Sequence, residues 1–85
     1  MNYRIIITPP AEKQIRRLEH AVRASVVQAI QMLVMNPRPP NSIKLKGREG
    51  YRMRVGDYHI LYGIDDVTRI VDIRRVGHRS DVYRD

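Results

Sequence analysis

There is no cysteine in the 85 residues, which rules out a disulfide framework and a thiolate zinc site. Nor is there a long apolar run, a signal-peptide core, or a block of cations beside an amphipathic helix, so no membrane role is expected. The lack of a secretory signal makes the cytoplasm the expected compartment. Carboxylates are scarce: 9 Asp and Glu stand against 16 Lys and Arg, a formal net charge of +7. Repeats, low-complexity tracts and interdomain linkers are absent too. The length admits one domain, residues 1–85, with a modest core.

What is present in quantity is arginine, which supplies 13 of the 16 cations. Its planar fork suits bidentate contacts to phosphate and carboxylate better than the point charge of lysine does. A small, strongly basic domain usually meets nucleic acid, an acidic protein or an anionic surface.

Along the chain, residues 3–7 are rich in β-branched side chains and read as a first strand. Thr8-Pro9-Pro10 stops it and opens a helix, with Thr8 at the N-cap. Ala11, Ile15 and Leu18 form that helix's apolar stripe, and Glu19-His20 is a tight break. A second helix is expected over about residues 21–35, with Val22, Val26, Ala29, Ile30 and Leu33 on one face. Asn36-Pro37 ends it, and residues 38–42 form an extended connection. The second half reads as three strands, 51–55, 58–64 and 69–76, with turns at Gly56-Asp57 and Asp65-Asp66. The order β-α-α-β-β-β predicts an α+β fold: a helical hairpin on one face of a four-stranded, mostly antiparallel sheet, followed by a short tail or helix.

A two-residue turn at Gly56-Asp57 pairs Val55 with Tyr58, Arg54 with His59, Met53 with Ile60, Arg52 with Leu61 and Tyr51 with Tyr62. Alternation then puts Tyr51, Met53, Val55, Tyr58, Ile60 and Tyr62 under the helices. Arg52, Arg54, His59 and Leu61 take the opposite, open face. A second two-residue turn would set His59 across from Asp72 and add Arg74 to the same face. Such a face can be simply a solvated surface. Yet adjacent cations with few carboxylates repel one another, which an anion such as phosphate would relieve.

Gly77 is expected to break the last strand, letting His78 and Arg79 curl over the open face. Tyr83 either stacks on an unpaired base or packs back to anchor the terminus. Lys44 and Lys46 suit a phosphate path. Tyr51, Tyr58 and Tyr62 read as core, and Arg16, Arg17 and Arg23 as solvated helix surface. His20 lies in the interhelical turn, away from the other candidates. Three histidines without grouped carboxylates make no metal set, so neither metal nor cofactor is expected.

Lys44-Leu45-Lys46-Gly47, the string from Tyr51 to Tyr62, and Val76-Gly77-His78-Arg79-Ser80-Asp81-Val82-Tyr83 together resemble the RelE/ParE superfamily of bacterial toxins, the RelE branch most closely. The resemblance spans essentially the whole chain, including Asn36-Pro37-Arg38. It implies a ribosome-dependent endoribonuclease that cuts mRNA and is held inactive in a hetero-oligomer with a cognate antitoxin. Position by position, it implies that Arg52 and Arg54 match basic active-site residues and that Arg79 matches a catalytic arginine. Tyr83 matches a substrate-stacking tyrosine, and Lys46 a supporting cation. His59 departs from the pattern, which usually has arginine there. The ParE branch shares the fold but poisons DNA gyrase, and an inactive RNA-binding relative is a third reading.

The implied cleavage, attack of a 2′-OH on the adjacent phosphate, needs a base, charge stabilisation and an acid. Arginines supply only the second, since they stay protonated. His59 and His78 are therefore the candidate proton carriers.

Overall fold

The computed structural model describes residues 2–78 and Ser80. Its elements are β1 (Arg4–Ile7), α1 (Pro9–Arg16), α2 (His20–Met32), β2 (Ser42–Lys44), β3 (Tyr51–Val55), β4 (Tyr58–Asp65) and β5 (Ile70–His78). The sheet runs β1-β5-β4-β3-β2, antiparallel except where β1 lies parallel to β5. The α+β class and the helical hairpin on one sheet face are as expected. The strand count is not: residues 42–44 pair with β3 and give a fifth, edge strand. Asn41 prolongs that edge: its carbonyl accepts from the Arg54 N–H at 3.0 Å and its side-chain amide donates to the Arg54 carbonyl at 2.8 Å.

Both helices begin and end for local reasons. Prolines occupy the first turn of α1, where an N–H would be unpaired anyway. Thr8 holds the N-cap position but makes no side-chain cap. Its hydroxyl instead donates to the Ile73 carbonyl at 2.8 Å, tying α1 to β5. Glu19 caps α2 by accepting from the Ala21 N–H at 2.6 Å. Arg23, expected in solvent, is half-buried and donates to the Leu18 carbonyl in the turn between the helices. The α-helix ends at Met32 rather than Met35. Leu33, Val34 and Met35 bond three residues back instead of four, the tightened ending common before a proline.

The core lies between the helices and one face of the sheet. Ala11, Ile15, Val26, Ile30 and Leu33 meet Met53, Ile60, Tyr62, Val71, Ile73 and Val76. Tyr62 is fully buried; burial pushes its phenol pKa up, and its hydroxyl donates to the Pro37 carbonyl at 2.7 Å. That bond fastens the proline-rich connection to the sheet.

The same connection carries Arg38, whose guanidinium makes a two-pronged contact with Asp66, at 2.8 and 3.3 Å, and donates to the Tyr51 hydroxyl. Tyr3 donates to Asp66 from the other side at 2.6 Å. Arg38 first, and Tyr3 second, lower the Asp66 pKa from 3.8 to about 2. A carboxylate depressed in this way stabilises the fold above its unfolded pKa, and the increment is lost as pH falls through about 2. Exposure keeps it small. The melting-temperature advantage of the native chain over Asp66→Asn is expected to be level above about pH 5 and to shrink at lower pH. A difference that does not change with pH would remove this linkage.

Candidate functional site

The β3–β4 hairpin closes through Gly56, whose φ of 61° suits the first central position of a II′ turn. Every expected cross-strand pair is present, from Val55–Tyr58 to Tyr51–Tyr62. Met53, Ile60 and Tyr62 face the helices, fully or almost fully buried. Arg52, Arg54, His59 and Leu61 share the helix-free face by register. That face is less open than expected, because His59 is 4% and Leu61 6% exposed. Arg52 is half-buried, and only Arg54 is exposed, with its Nε donating to the Gly56 carbonyl.

The register against β5 corrects the expected one. The second turn spans residues 66–69, closed by the Asp65–Ile70 pair. The Asp65 carboxylate accepts from the N–H groups of Thr68 and Val67, which lowers its pKa, and Arg69 takes a left-handed φ of 61°. A bulge follows: Tyr62 pairs with Ile73 but Leu61 with Arg75, leaving Arg74 as the extra residue. His59 consequently faces Gly77, not Asp72, and no Asp72–His59 contact exists. Asp72 instead accepts from Arg74 Nε at 2.7 Å.

The strand also does not break at Gly77; β5 continues through His78. His78 pairs with Tyr58, and the two rings meet edge to face with centroids 5.6 Å apart. It therefore lies on the helix-side face, opposite His59, with Nδ1 3.1 Å from the Ser80 hydroxyl. Lys44 pairs with Tyr51, so it too alternates away from Arg52 and Arg54. Lys46 is exposed in the loop before β3. Arg79 and Tyr83 lie outside the described residues.

The bulge brings in a residue that sequence reading left out. Arg75, by pairing with Leu61, joins Arg74 on the helix-free face. The visible signal was the Arg74-Arg75 doublet, since two adjacent cations in one strand cannot both be solvated on a simple alternation. Residues 45–50 lie over this half of the face. Between them and the sheet is a cleft of about 390 Å³ lined by Leu45, Arg48, Glu49, Leu61, Arg74 and Arg75. Arg74 spans it, bonded to Asp72 on the strand and, at 3.3 Å, to the Glu49 carbonyl in the loop. Gly63 gives it room: a Cβ there would run into the guanidinium of Arg74 and the carboxylate of Asp72.

Two helices on one face of a small mixed sheet, with arginines gathered on the other, define a compact α+β domain with a basic, helix-free face. The family described as the ParE toxin of type II toxin–antitoxin systems, parDE, matches residues 5–83. The chain is 34% identical over 86 residues to Toxin RelG of Mycobacterium tuberculosis, with 99% of each covered. It is 32% identical over 84 residues to Toxin RelE of the same organism, covering 96% of this chain and 87% of that one. Its fold is similar to a chain of the M. tuberculosis toxin–antitoxin complex RelBE2, with a TM-score of 0.83 and 29% identity over 93% of this chain and 100% of that one. A chain of the archaeal RelE–RelB complex from Pyrococcus horikoshii gives the same TM-score at 27% identity, covering 93% and 97%. The chain belongs to the RelE/ParE superfamily of type II toxin–antitoxin toxins.

Proposed function

We propose that this toxin is a ribosome-dependent endoribonuclease that cuts mRNA without a metal ion, and that a cognate antitoxin silences it in a hetero-oligomer. The observation that carries the reading is that Arg52, Arg54 and Arg75 share with a buried His59 the sheet face the helices leave bare. The similarity to RelE and RelG toxins supports it, and the solved complexes of RelE with RelB support the antitoxin partner.

In this reading Arg52 and Arg54 grip the scissile phosphate, joined by Arg79. The 2′-oxygen of the preceding ribose forms a bond to phosphorus as its proton leaves. The P–O5′ bond breaks, giving a 2′,3′-cyclic phosphate and a 5′-hydroxyl. Charge builds on the non-bridging oxygens, and fixed guanidinium donors stabilise it more in the transition state than in the substrate. His59, directly across from Arg54, moves the proton. Tyr83 stacks on the substrate, and Lys46 lines the path of the strand.

His59→Gln is expected to lower cleavage about 100-fold or more and to flatten its pH dependence. His78→Gln, on the other face, is expected to cleave almost normally. Equal rates and pH profiles for His59→Gln and the native chain would end the proton-transfer role. A second reading, poisoning of DNA gyrase, is favoured by the ParE family match. Mapping of mRNA 5′ ends in a translation extract separates the two: new ends support cleavage, and toxicity without them supports gyrase.

A further inference from the structure

The cleft beneath residues 45–50 is not needed to hold the scissile phosphate, which the reaction assigns to Arg52 and Arg54. Its lining is nevertheless specific. Leu45 from the loop and Leu61 from β4 supply apolar surface. Leu61 is 6% exposed yet stands apart from the main core, on the other side of the sheet. Arg48 and Arg75 bring positive charge to the walls, and Glu49 brings one carboxylate. Arg74 is committed to Asp72 and to the Glu49 carbonyl, so it acts as a strut that keeps the loop at its distance. A volume of about 390 Å³ sits near the lower end of clefts that take small organic ligands.

Inorganic phosphate alone makes poor use of such a lining, because two leucines offer it nothing and a carboxylate repels it. A nucleotide uses all of it. The flat base lies on the leucines, its N–H groups reach the carboxylate, and its phosphate meets the guanidinium groups. We propose that this cleft takes one unpaired nucleotide of the RNA, flanking the bond that is cut, with Arg48 and Arg75 as its phosphate ligands. This rests on the endoribonuclease reading for the identity of the strand, but not for the existence of the site.

The test follows the methyl resonances of Leu45 and Leu61 in the full chain during titration with AMP, GMP, CMP and UMP, and separately with inorganic phosphate. At least one nucleotide is expected to shift both residues, and phosphate to leave them in place. Arg75→Gln is expected to weaken that binding about tenfold. Arg48→Gln, a change on an exposed loop, is expected to weaken it as well and decides the matter if the β5 variant does not fold. Equal shifts with phosphate, no shift with any nucleotide, or unchanged affinity in Arg48→Gln would overturn the proposal. Nucleotide binding in a protein that cuts no RNA would leave the cleft standing and remove the reaction. Cleavage that depends on Arg54, without any shift at the leucines, would do the reverse.

Discussion

Arg54→Ala is expected to lower mRNA cleavage on programmed ribosomes about 100-fold or more, the usual cost of removing one fixed donor from a developing oxyanion. Thermal stability should hardly change, because Arg54 is exposed and its one described side-chain bond runs to the carbonyl of Gly56, two residues away. The combination of outcomes matters more than either one. A lost activity with an intact melting curve assigns the guanidinium to chemistry. Retained cleavage would dismiss the phosphate grip and move the search to other cations on the same face. Arg54→Lys refines the result: a lysine keeps the charge but not the planar fork, so partial activity is expected.

The second large effect concerns the fold. Leu33→Ala is expected to cost about 2–5 kcal/mol, since Leu33 is fully buried and its loss opens a cavity under the sheet. In a domain of this length each kcal/mol corresponds to roughly 4–8 °C in melting temperature, so a fall of more than about 10 °C should appear in a calorimetric scan. Leu33 belongs to the tightened turn after α2 rather than to the helix proper. A small effect would mean that the turn can close over the gap. A large one would show that the core extends past the last regular hydrogen bond of the helix.

Sequence reading did best where spacing is enforced by burial. The stripe Val22, Val26, Ala29, Ile30, Leu33 and the pairing of β3 with β4 were legible because a one-residue slip in either would expose the core. The Gly56-Asp57 turn, with its left-handed glycine, fixed the register locally. Reading failed where geometry depends on distant partners. Nothing near residues 42–44 announces a strand; they become one because β3 offers an unpaired edge. The Asp65-Asp66 turn was read two residues short because the cap that shapes it comes from a side chain, the carboxylate of Asp65. Alternation alone did not place the bulge at Arg74, which adds one residue to the four-residue shift of the longer turn and so sets His59 against Gly77 instead of Asp72. For the site, Arg52 and Arg54 could be placed by parity alone. Arg75 and the cleft under Leu45 could not, since both require the bulge and the loop to be known first.

That bulge also gives β5 two halves read in different phase. Val71 and Ile73 lie one step out of alternation with Val76, yet all three are buried under the helices. Loss of residue 74 would leave Tyr62–Ile73, Leu61–Arg75 and Ile60–Val76 as successive pairs of a regular ladder and keep all three apolar side chains inward. The core therefore does not demand the extra residue. What it supplies lies on the other face: a second cation beside Arg75, and the tie from Asp72 across to the Glu49 carbonyl. A chain shortened there should keep its core and lose the strut over the cleft.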